Sequence, residues 1–160
     1  MNFDHNFSPD SKVWIYQSSR PFSIDEIKEL NLLLSVFAKQ WTAHNAQLNA
    51  EGTVIEDRLI MLIVDESHTA ASGCSIDTSV HFIKSVEKKF GIDLFDRTLV
   101  NFYHDGSLSS THLQELPKLY AQKLLNEDTL VLDPLVNSKS SFDVNFKTTI
   151  GNSWIKNFLQ

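Results

Sequence analysis

The run Leu59-Ile60-Met61-Leu62-Ile63-Val64 is the longest apolar stretch of the chain. Six residues fall far short of the roughly 20 that a membrane helix needs. A short, continuous apolar run instead reads as a strand at the centre of a sheet. Residues 58–64 are therefore expected to form a central strand, around which the remaining elements must be arranged.

A second strand is expected over residues 12–17 (Lys-Val-Trp-Ile-Tyr-Gln), where three β-prone apolar residues follow one another. The turn Ser18-Ser19-Arg20-Pro21 ends it. Ser23 and Glu26 then form a capping box, with Phe22 and Ile27 placed as a hydrophobic staple. Ile24, Ile27, Leu30, Leu34, Phe37 and Trp41 recur at three- and four-residue intervals and predict a helix over 23–41. Leu32, Leu33 and Val36 widen that stripe, so the helix is expected to be covered on more than one side. Residues 67–73 read as a loop of small residues. Ser75 is expected to cap a second helix, over 76–90, with Ile76, Val80, Ile83 and Phe90 facing the core and Gly91 ending it. Residues 98–103 read as a strand, and Asp105-Gly106 as a hairpin turn with 107–111 returning. Further along, 117–126 predicts a third helix, 130–132 and 142–146 a strand pair, and 153–159 a short terminal helix. Residues 1–11 are polar and expected to be loosely held. No linker, repeat or low-complexity tract divides residues 1–160, which read as one globular domain.

The stretch 42–57 decides the topology. With a short strand at 47–50, turning at Glu51-Gly52, residues 12–104 become a ferredoxin-like βαββαβ core. That is an α+β fold with a mixed or antiparallel sheet, followed by a C-terminal hairpin, helix and strands. Without that strand, the core is a parallel βαβαβ unit of the α/β class. The first arrangement is preferred, because sixteen structureless residues inside a compact domain are unusual.

Composition narrows the function. Acidic residues number 20 against 14 basic ones, giving a net charge of −6, and Arg20, Arg58 and Arg97 are the only arginines. This argues against nucleic acid as a partner. The 5 glycines are scattered, which excludes a Walker A loop and a dinucleotide fingerprint, so no nucleotide cofactor is expected. A single cysteine rules out an internal disulfide, a zinc ribbon and a CxxC redox pair. The N-terminus lacks a basic and apolar leader, so no secretion signal, no membrane partner and a cytoplasmic setting are expected.

At Trp41-Thr42-Ala43-His44, Ser72-Gly73-Cys74-Ser75-Ile76-Asp77 and Leu135-Val136-Asn137 the chain resembles a family of short bacterial proteins of unknown function. The resemblance spans Val13 to Trp154, and the Ser-Gly-Cys-Ser-Ile-Asp hexapeptide is its most specific part. Glycine often follows the histidine in that family. Here Asn45 does, and asparagine also tolerates a left-handed backbone. Some members carry an "ABC transporter ATPase" label, which the missing phosphate-cradling glycines and lysine contradict. The resemblance implies no activity.

The candidate chemistry centres on Cys74, expected just before a helix N-terminus, where free backbone N–H groups stabilise a thiolate. It is either a nucleophile or redox-sensitive thiol, or a small buried residue of a tight turn, with Gly73 beside it for backbone reasons. Asp77 in the first turn would oppose a thiolate. Ser72, Gly73, Ser75 and Asp77 are the candidate ligand-binding loop, and Arg20 a candidate anion grip. His44, His68 and His104 are candidate bases. Asp65, Glu66 and His68 form at most a loose divalent-cation set, and no metal site is otherwise expected. His81 reads as solvated, and Trp14, Trp41 and Trp154 as core. In either topology Cys74, Asp65, His68 and His104 share one edge of the sheet; the split core adds His44, the parallel core Arg20. Two functions remain. One is a non-catalytic binding or scaffold domain, taking a small ligand or self-associating; it is favoured because no catalytic spacing is specific. The other is a small-molecule enzyme or thiol-based sensor built on Cys74.

Overall fold

The computed structural model describes residues 6–160; what the sequence predicts for residues 1–5, His5 included, lies outside the described residues. The fold is α+β, and every strand pair is antiparallel. In chain order the elements are β1 (Lys12–Gln17), α1 (Ile24–Gln40), β2 (Thr42–Ala43), β3 (Ala46–Gln47), β4 (Asn49–Ile55) and β5 (Leu59–Asp65). They continue with α2 (Gly73–Phe90), β6 (Leu99–His104), β7 (Ser107–His112), α3 (Leu116–Ala121), β8 (Leu130–Leu132), α4 (Lys139–Asn145) and β9 (Lys147–Thr149). Short 3-10 turns cover Leu113–Glu115, Ile150–Asn152 and Trp154–Phe158.

The apolar run occupies the expected place. β5 is the middle strand of a sheet ordered β1-β5-β4, and all seven of its residues are buried. Its side chains alternate between two cores. Ile60, Leu62 and Val64 face α1 and α2, together with Leu30, Leu34, Trp41 and Ile83. Leu59, Met61 and Ile63 face a second sheet through Leu132, Val136 and Phe146. That second sheet is ordered β7-β6-β8-β9, and its far side is closed by Leu116, Ile150, Ile155 and Leu159. The layers therefore run helices, sheet, sheet, short helical turns.

The order β1-β5-β4 is three-quarters of the expected split core. The fourth strand departs from it: β6 pairs with β7 and β8 in the second sheet, not with β1. A polar relay joins the two sheets at this point. Gln17 Nε2 donates to the Leu99 carbonyl at 3.0 Å, and Asn101 Nδ2 donates to Gln17 Oε1 at 2.6 Å. Ser110 donates to Asn101, and Arg58 to Ser110. Asn101 is fully buried.

Several expectations are corrected. The strand in 42–57 runs from Asn49 through Glu51-Gly52 to Ile55, and the turn is at Glu56 and Asp57, with φ of 51° and 56°. Ser72, not Ser75, caps α2. Residues 142–146 are helical rather than a strand: Ser138 caps α4, and Phe142 stacks on Phe146 one turn later at 4.5 Å. β9 takes the place expected for 142–146, pairing with β8. The third helix ends at Ala121, and the terminal helix is a 3-10 segment. Residues 6–11 are tied down: Phe7 and Ser11 are buried, and the Ser8 N–H donates to Asp65. Leu32 and Val36 are exposed, so α1 is covered along one face only. Among the described residues no helix is long and apolar enough to cross a membrane.

Candidate functional site

The residues grouped on one sheet edge from the sequence do not assemble as a set: His104 lies elsewhere, and the acids Asp65 and Glu66 have other partners. Asp65 ends β5, and its carboxylate accepts from the Ser67 hydroxyl, the Ser67 N–H and the Ser8 N–H. Those bonds, those from Ser67 above all, hold its carboxyl below the usual range. Glu66 is taken up by Lys12 at 3.1 Å and by the Ala71 N–H at 2.8 Å. His68 is exposed and lines a shallow 370 Å³ hollow with Asp65, Lys39 and Leu48. Among the described residues no three of His, Cys, Asp and Glu gather as a metal would require, Asp65, Glu66 and His68 included.

Cys74 is exposed, which corrects the buried alternative. It is the second residue of α2, and no histidine bonds to its thiol among the described residues. Ser72 and Ser75 are consumed by their reciprocal cap, at 3.2 and 2.7 Å. Gly73 does not have a positive φ, so it is not needed there for a strained turn. Asp77 lies beyond the first turn, which contains no acid. His44 and Asn45 form the β2–β3 turn, with φ of 52° and 63°. Trp41, just before β2, donates its indole N–H to the Ser75 carbonyl at 2.8 Å, so the β2–β3 hairpin that carries exposed His44 lies at the Cys74 end of α2.

Arg20 and His104 do not. Arg20 forks onto Glu26 at 2.9 and 2.8 Å and donates to the Phe90 carbonyl at 2.9 Å. Phe90 is the last residue of α2, roughly 24 Å along the helix from Cys74. His104 ends β6 and contacts Asp105 at 3.3 Å. Its neighbour Tyr103 lies by Glu56, and burial with that carboxylate pushes the phenol up to about 12. Glu56 is at the opposite end of the first sheet from Asp65, about 20 Å away along β5.

A larger concavity than the His68 hollow lies elsewhere, along the outer edge of β1. It measures about 490 Å³. Its floor is residues 13–17. One wall is Val80 with residues 94–97, the other residues 134–137 with Trp154. Phe95 and Leu135, at 38% and 63% exposure, stand at the rim. Burial raises the Tyr16 phenol, and the Ser79 hydroxyl partly offsets this. Trp14 and Trp154, expected in the core, are only half-buried here. The lining is mainly apolar, with Gln17, Asp96, Arg97 and Asn137 as polar members. Asp96 is occupied by Thr98 and His112.

Sequence reasoning did not find this groove, because β1 reads as an interior strand. Its apolar residues serve the two flanking cores, not a second neighbouring strand. The usable signal was the Leu135-Val136 pair, two apolar residues outside any predicted element. Comparison with protein-family models, with curated proteins and with solved structures finds no match to this chain.

Proposed function

We propose that this protein is a non-catalytic binding domain whose ligand site is the groove along β1. The observation that carries the reading is a 490 Å³ apolar concavity with a few polar groups at its margin, the form that ligand sites usually take. Against it stands the Cys74 edge, where Asp65 and Glu66 are engaged and, among the described residues, no imidazole bonds to the exposed thiol. General acid–base or nucleophilic chemistry needs such groups within hydrogen-bond reach. The alternative of a thiol enzyme or sensor therefore has no partner group among the described residues to support it. A partner other than nucleic acid, no nucleotide cofactor, a cytoplasmic setting and kinship with the short bacterial family belong to the same proposal; the acidic charge and scattered glycines favour the first two.

Trp14 and Trp154 line the groove and supply the readout. Titration with 8-anilinonaphthalene-1-sulfonate should give saturable energy transfer from tryptophan. Leu135→Asp, at an exposed rim position, should weaken it strongly without lowering the melting temperature. No saturable binding, or binding indifferent to Leu135→Asp, would overturn the reading.

A further inference from the structure

Taking the β1 groove as a ligand site, we propose that its occupant is an extended apolar peptide segment carrying an acidic residue, added to β1 as a further strand. The hydrogen-bond phase of β1 supports this. The Ser18 N–H donates to the Arg58 carbonyl, so with the observed register the main-chain groups of Trp14 and Tyr16 point at β5. Those of Val13, Ile15 and Gln17 then point outward, into the groove. The first is used: the Val13 N–H donates to the Asn137 carbonyl, and the Lys139 N–H to the Ser11 carbonyl, around a bridge between Lys12 and Ser138. Beyond it the ladder stops. Among the described residues nothing meets the Ile15 N–H and carbonyl or the Gln17 N–H.

The groove therefore holds a partly built ladder about 10 Å long, enough for roughly three residues. Another main chain offers donors and acceptors at that spacing. The opposite edge of the sheet is treated differently: α1 packs along β4, and Asn31 accepts from the outward Val54 N–H at 3.1 Å.

The surroundings select the occupant. An added strand turns alternate side chains to opposite faces, and both walls are apolar: Val80, Leu94 and Phe95 on one side, Leu135, Val136 and Trp154 on the other. Successive apolar residues would fit. Arg97 lines the mouth and has no acid partner among the described residues, so it supplies a free positive charge for a carboxylate. A second copy of this chain is a poor occupant. The edge is recessed between two walls, which favours a single extended segment over the edge of a whole sheet.

The test pans the whole chain against a display library of short random peptides ending in glutamate. The selected peptide is then synthesised and titrated by calorimetry. Enriched sequences should be apolar at successive positions. Ile15→Pro removes an outward N–H but no bond to β5, a change edge strands accept. It should weaken binding by about tenfold, and Arg97→Gln should weaken it severalfold. If Ile15→Pro does not fold, the native chain titrated with the peptide N-methylated at alternate residues gives the same information, and binding should be lost. No enrichment, or equal binding by Ile15→Pro and by the methylated peptide, would overturn strand addition. If anilinonaphthalene sulfonate still saturates the groove in that event, the ligand-site reading stands without the peptide. If neither binds, both fail. A concentration-dependent dimer abolished by Ile15→Pro would assign the edge to a second copy and overturn the peptide.

Discussion

Gly52 and Gly73 show how the neighbourhood of a residue, not its type, decides its role. A Cβ on Gly52 would lie 3.0 Å from Leu34 Cδ2 and 3.0 Å from Leu62 Cδ2, both on fully buried side chains. Gly52→Ala should therefore overpack the helix–sheet contact and lower stability by about 1–3 kcal/mol in denaturant unfolding. A Cβ on Gly73 meets nothing within 4 Å, so Gly73→Ala should leave the melting temperature unchanged or slightly raised. The sequence marks Gly73 by its place in a motif and reads Gly52 as part of a turn, and neither reading locates the close approach. Cys74 follows the same logic. Being exposed and without an imidazole partner among the described residues, it should alkylate in the native protein at a rate that His44→Ala and His68→Ala leave unchanged. A clear slowing in either variant would restore the thiol chemistry.

Helices were legible at the level of elements because their ends carry chemistry. The Ser23–Glu26 box is present as read, and Gly91 ends α2 with φ of 64°. The Ser72 box was missed because Ser75 fits the same pattern; three residues separate cap from partner, and both are serine. Ser72→Ala should cost about 1 kcal/mol through the lost cap. Strand boundaries in 42–57 were not legible, since Glu56 and Asp57 adopt a left-handed turn without the glycine that usually advertises one. In α4, the Phe142 and Phe146 spacing was a helical signal overridden by β propensity. The start of α1 also makes a pH prediction. Arg20, with the Ser23 N–H, holds Glu26 at about 2 against an ordinary 4.5. The folded-state value is depressed, so its stabilisation is present above 4.5 and is lost as pH falls through 2. Glu26→Gln should flatten the stability profile over that window, read by urea midpoints at successive pH values.

For the whole molecule, the central strand and its helical cover were legible, but the division into two sheets was not. Residues 98–103 read as a strand whichever sheet they join. Their assignment is made by contacts such as Gln17 to Asn101, which join residues 84 positions apart. Asn101→Ala would strip a partner from buried Gln17 and from Ser110, and should cost about 1–3 kcal/mol. The open edge of β1 follows from the same division, since β6 would have covered it in a single sheet. That edge is the basis of the proposed site, and hydrogen exchange of the free protein tests it most directly. The Trp14 and Tyr16 amides, bonded to β5, should exchange slowly, while those of Ile15 and Gln17 should exchange much faster. Uniformly slow exchange across all four amides would mean that the edge is already paired, and would contradict the account.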